Sequence, residues 1–177
     1  MLLTELRALV ERLAALARPV ASWLVPGVGA AAVEETLGEM PPEEVIMWFG
    51  WCNGVELQPG QIQDDINVVP GYAPLSLAEA ARFIESYSGD PVLGDHWVPV
   101  LGGAGGDIYA AVWGPNGNVR VAGVLVGEET EVEFGSLENM VAVFNECYRR
   151  GAFFVDGRGR LTMDANLYDE VYEVTVR

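Results

Sequence analysis

Leu2, Leu6, Leu9, Leu13 and Leu16 step by four and three, laying an apolar stripe along a helix that Pro19 is expected to stop. About two heptads are present, too few to argue a coiled coil, so this helix is expected to pack on its own domain. A break at Val25-Pro26-Gly27-Val28-Gly29 precedes a short helix from Ala30, with Val33 and Leu37 inward and Gly38 closing it. Pro41 and Pro42 followed by Glu43 and Glu44 mark another helix start, prolines being tolerated in the first turn and acids complementing the dipole. That helix is heavily apolar through Val45, Ile46, Trp48, Phe49 and Cys52, and is expected to stop at Asn53-Gly54. Val55 to Leu75 holds Pro59-Gly60, Asp64-Asp65 and Pro70-Gly71, and reads as a long surface connection with one short strand at Ile66 to Val69. Ser76-Leu77-Ala78-Glu79 is a capping box for a helix carrying Leu77, Ala80, Ala81 and Ile84 and ending near Tyr87.

The pattern then changes to strands. Trp97, Val98, Val100 and Leu101 favour one, and Ile108, Tyr109, Val112 and Trp113 another, with the bend Gly102 to Gly106 between them. Four glycines in five residues exceed what a tight turn needs; they permit positive φ and close approach of backbone or ligand. Gly114-Pro115-Asn116-Gly117 predicts the next turn and Val119 to Val126 a third strand. Val132 and Phe134 alternate with Glu131 and Glu133 as a half-exposed fourth. Ser136 caps a helix from Leu137 to Arg150, closed by Gly151, and Ala152 to Met163 reads as a hairpin turning at Asp156-Gly157-Arg158-Gly159. A Tyr-rich tail follows without an assigned element. No repeat or low-complexity linker appears, so residues 1–24 and 152–177 read as additions to a domain over 25–151.

Composition changes the picture chiefly through charge. The 177 residues, half of them apolar, suffice for one sizeable core, and no apolar run reaches the ~18 residues of a membrane span. Glu5, Arg7, Glu11 and Arg12 break what would be the hydrophobic segment of an export signal, and no basic stretch precedes it, so the N-terminus does not read as one. Two isolated cysteines, Cys52 and Cys147, suit a reducing cytoplasm. Acids outnumber bases 26 to 10, no lysine occurs, and the formal net charge is −16. Such a field repels nucleic acid and anionic lipid and attracts a basic protein.

Catalytic chemistry has little to stand on. His96 is the only histidine and no nucleophile motif accompanies it, so it reads as a strand-edge residue. One histidine and two separated cysteines do not supply the usual ligands of a structural zinc, and no cofactor is expected. The bend matches neither the P-loop nor G-x-G-x-x-G. Asp64-Asp65 and Asp107 could in principle form an acid–base pair, but spacing alone does not support it.

Four segments resemble the SUKH superfamily, which includes the yeast cell-wall-assembly regulator and many bacterial immunity proteins. They are LGEMPPEEVIMWFGWCNG (37–54), PLSLAEAARFIE (74–85), HWVPVLGGAGGDIYAAVWGPNGNV (96–119) and SLENMVAVFNECYRRG (136–151). Trp97, Pro99, Gly106 and Asp107 match the family motif in spacing as well as type, whereas Val112-Trp113 stands where many members carry an acid. The resemblance implies an α+β fold, an antiparallel sheet of about four to six strands with helices packed against it, acting by binding and not by catalysis. It implies a bacterial immunity protein that neutralises a toxin of nuclease or deaminase class, or alternatively a regulatory or scaffold module binding host proteins. Asp107, Asp64, Asp65, Glu34 and Glu35 are the candidate partner-binding acids. The expected partner is a basic protein, not nucleic acid or membrane, and the expected state a monomer or weak homodimer.

Overall fold

The leucine stripe of α1 (Leu2–Ala15) is buried at Leu2, Leu6, Leu9 and Leu13, and it packs on α7 (Leu137–Arg150) and α4 (Glu43–Trp51). The computed structural model describes residues 1–87 and 89–176. α1 stops earlier than Pro19 suggested and leaves Leu16 exposed, because Ala17 adopts φ 53° and the Arg18 amide turns back to donate to the Leu13 carbonyl at 2.9 Å. α2 (Val20–Trp23) follows, and the expected break instead contains β1 (Leu24–Pro26), antiparallel to β2 (Cys52–Val55). Cys52 therefore begins a strand, not the end of a helix. The reason is tertiary: Asn53 Oδ1 accepts the Leu77 amide at 2.8 Å, and Gly54, at φ 83°, lies against the Ser76 backbone where a Cβ would sit 2.9 Å from its nitrogen.

α3 (Ala30–Leu37) ends at left-handed Gly38 as expected. Gly27, just before it, lies so close to α4 that a Cβ would meet the Gly50 carbonyl oxygen at 2.1 Å. Both contacting groups are backbone, so Gly27→Ala is expected to lower stability by about 1–3 kcal/mol, read as a reduced urea midpoint.

Residues 55–75 depart most from expectation. α5 (Gln63–Ile66) occupies part of the proposed strand, Asn67, Val68 and Val69 are buried, and the strand lies later, at β3 (Tyr72–Pro74). The Tyr148 hydroxyl donates to the Val68 carbonyl at 2.6 Å and draws this segment into the core. β3 is the edge of a five-stranded antiparallel sheet, followed in order by β4 (Trp97–Gly103), β5 (Ile108–Trp113), β6 (Val119–Val124) and β7 (Glu131–Phe134). Fold class is thus α+β, within the expected strand number.

Both faces of this sheet are covered, which is why its strands read as nearly continuous apolar runs. Tyr109, Ala111 and Val121 face a core built with α1, α4 and α7, whereas Trp97, Ile108, Ala110 and Val112 pack beneath Phe83 and Ile84 of α6 (Leu77–Ser86). The α6 capping box is formed as predicted: Ser76 Oγ accepts the Glu79 amide at 3.2 Å, and Glu79 Oε2 accepts the Ser76 amide at 2.8 Å. α7 is capped by Ser136 and closed by left-handed Gly151.

β8 (Phe153–Val155) and β9 (Leu161–Met163) form the expected hairpin, and the Tyr-rich tail is a helix, α8 (Ala165–Val176). α8 lies along α7 and buries Val171. The main core runs from Leu2 to Val171, so both terminal segments contribute to it.

Candidate functional site

The acids singled out from the sequence occupy three elements. Glu34 and Glu35 are exposed on α3. Asp65 accepts the Ile62 amide at 3.1 Å and fixes the start of α5. Asp64 is turned inward: its side chain is 12% exposed, Oδ2 pairs with Arg18 Nη2 at 2.8 Å and Oδ1 accepts the Leu161 amide at 3.0 Å. With both oxygens engaged, Asp64 holds the fold and is withdrawn from the candidate surface.

Asp107 is placed differently. It follows Gly106, whose φ of 97° turns the chain between β4 and β5, and its Oδ1 accepts the Val126 amide at 2.8 Å. That bond ties the glycine turn to the β6–β7 connection, where Glu128 and Glu129 are exposed, as is Glu131 at the start of β7. One end of the sheet thereby collects Asp107 and three exposed glutamates. Trp97 and Pro99 lie within β4; Trp97 is buried edge-on against Tyr87, and the Tyr87 hydroxyl donates to the Gly106 carbonyl at 3.1 Å. Trp97 thus reaches the turn through Tyr87, while Pro99 is a buried residue of β4 paired with Ala110.

Beside the acidic end lies a cavity of about 260 Å³ that the sequence did not reveal. Its walls include Tyr72, Tyr109, Phe144, Phe153 and Tyr168, and Glu133 supplies its carboxylate. Glu133 points inward because β7 carries a bulge. Val121 pairs with Phe134 and Ala122 with Val132, so Glu133 is the extra residue. It shares the core-facing side with Phe134, while Val132 is exposed; the simple alternation expected for this strand fails here. Gly123 makes the space, since a Cβ there would stand 1.8 Å from Glu133 Oε1. Tyr172 of α8 donates its hydroxyl to the Glu133 carbonyl and holds the bulge in place. The rings are in mutual contact, with Tyr72 and Tyr109 centroids 4.8 Å apart and Phe153 stacked on Tyr168 at 5.9 Å.

Burial raises Glu133 above the usual carboxylate range; the Tyr109 hydroxyl opposes the shift and Glu131 adds to it. Tyr109 and Tyr168 are raised by the same burial, and Tyr72 is pushed up to about 12 by burial and then by Asp107 and Glu133. Between 4.5 and the higher folded-state value, native Glu133 binds more protons than the unfolded chain does, so this group's contribution to stability falls as pH rises. The phenols of Tyr72, Tyr109, Tyr168 and Tyr172 are all raised by burial and stay protonated across that window, so they add no proton release of their own. Glu133→Gln is therefore expected to gain in stability over the native chain from about pH 4 to about pH 7, in paired thermal unfolding. An unchanged difference across that range would contradict the assignment.

A second concavity, about 300 Å³, lies where Pro41, Pro42, Trp113 and Pro115 meet His96, whose Nδ1 is 2.7 Å from Glu39 Oε1. The His96 carbonyl accepts the Trp113 amide at 3.0 Å, so His96 sits just before β4, which is paired on both sides. Among the described residues no group of three or more His, Cys, Asp and Glu is arranged to hold a metal ion, and no helix is long and apolar enough to cross a membrane. No family model matches the chain, and no curated protein matches it.

Proposed function

We infer that this protein is a non-catalytic binding domain of SUKH type, an immunity protein that holds a basic toxin against the acidic end of its sheet. The observation carrying this reading is the Asp107 hydrogen bond to Val126, which brings the glycine turn and the Glu128, Glu129 and Glu131 carboxylates to one rim of a chain with net charge −16. A basic groove shaped for phosphate is complementary to such a rim, and the long-range field speeds encounter. Glu34 and Glu35 on α3 and Asp65 on α5 stay as separate candidate acids; Asp64 does not. Cys52 and Cys147 are both free and buried, which suits a reducing cytoplasm.

Co-expression with the product of the adjacent open reading frame tests the reading. Growth rescued by the native chain and lost on reversal of the rim charges supports it; growth arrest that this chain does not relieve counts against that pair.

A further inference from the structure

We propose that the cavity between β7, β5 and α8 is a binding site for an alkylammonium group, with the Glu133 carboxylate as counter-ion and the rings of Tyr72, Tyr109 and Tyr168 as walls. The site stands apart from the immunity reading, since it rests on local geometry.

Three features of the chain converge on the carboxylate. The β7 bulge turns Glu133 onto the inner face, Gly123 omits the side chain that would occupy its place, and Tyr172 secures the bulged backbone. Without the bulge, regular alternation would turn Glu133 away from this cavity. Burying a carboxylate without a cation is costly, and among the described residues Glu133 takes part in no ion pair. An ammonium group entering the cavity would supply the missing charge.

The walls select the same ligand. Aromatic faces carry negative potential and attract cations within about 6 Å of the ring centre, most strongly where water is excluded. The alkyl stem would lie along Phe144, Phe153 and the tyrosine rings, and a volume of about 260 Å³ is ample for one short chain. A planar guanidinium would prefer a bidentate carboxylate, and an anion would meet Glu133 and the rim acids. The ammonium can come from a free alkylamine or from a lysine side chain of a partner.

The test is NMR titration of the full chain with n-butylammonium, with n-butanol as a neutral probe of the same stem, and with lysine capped at both ends. Butylammonium is expected to saturate, shifting the Gly123 and Glu133 amides and the Tyr109 and Tyr168 rings. It is expected to bind about tenfold or more tightly than butanol, the preference lost in Glu133→Gln, because a charged hydrogen-bond partner has been removed. Gly123→Ala is a second variant: its Cβ displaces the carboxylate and should weaken binding without neutralising it. Capped lysine binding as well as butylammonium would identify a lysine side chain as an admissible source; butylammonium binding alone would restrict the site to free amines. The proposal is overturned if butanol and butylammonium bind alike, if Glu133→Gln retains the preference while folded, or if the shifts map to Glu128 and Glu129 and not to the cavity.

Discussion

Arg18→Met should lower the unfolding free energy by about 3–5 kcal/mol, because it leaves the Asp64 carboxylate buried without its cation. Arg18 has the most enclosed charged side chain of the ion pairs, 4% exposed. Its guanidinium donates to Asp64 Oδ2, to the Asp64 carbonyl and to the Gly159 carbonyl at 3.1 Å. Asp64 in turn accepts the Leu161 amide. One side chain therefore joins the end of α1, the start of α5 and the β8–β9 hairpin, three segments far apart in sequence. Removing the whole charged pair is a different matter from removing half of it. Arg18→Met combined with Asp64→Leu should recover most of the loss, since apolar replacement of a buried pair is often neutral or stabilising. Urea denaturation of the native chain, Arg18→Met, Asp64→Leu and the double variant gives the coupling directly. A single Arg18→Met variant as stable as the native chain would show that the clamp contributes nothing.

Reversing the rim should have the largest effect on function. Changing Glu128, Glu129 and Glu131 to Lys, with Asp107→Asn, replaces an attracting field by a repelling one. The association rate with a basic partner should fall by about 10–100-fold at low ionic strength. The deficit should shrink as salt shortens the screening length, and dissociation should change less. Stopped-flow association at several salt concentrations separates these effects. Equal rates for native and reversed chains at low salt would place the binding surface elsewhere. Asp64 is left intact in this design, since its substitution would disturb the Arg18 clamp and confuse binding with folding.

How much of this the sequence disclosed depends on whether the deciding contact was local. Ser76 and Glu79 lie three residues apart, so the capping box of α6 could be read directly, as could Gly38 and Gly151 beyond their helices. The two strands around the glycine turn were legible because β-favouring residues and glycines stand in one run. β2 and β3 were not, since each is fixed from a distance: Asn53 by the Leu77 amide, and the chain before Tyr72 by the Tyr148 hydroxyl. Nothing in the sequence around Arg18 points to its partners, because Asp64 and Gly159 lie far along the chain and only the fold brings them to it. Asp64 and Asp65 looked equivalent as neighbours, yet one faces the interior clamp and the other the start of a short helix. The cavity was concealed by the assumption of strict alternation in Glu131-Val132-Glu133-Phe134. A single extra residue turns Glu133 inward and Val132 outward, and only the pairing partner reveals it. The tail's Tyr168 and Tyr172 were visible as residues, but their roles required the helix that carries them.

Calorimetric titration of the purified chain with the product of the adjacent open reading frame, at low and at physiological salt, is the most direct test of the proposed binding role. Tight, stoichiometric binding that weakens with salt and is lost on rim reversal is the expected result. Binding that is indifferent to salt and to rim reversal, or no binding alongside a demonstrated rescue of growth, would contradict an acidic docking surface.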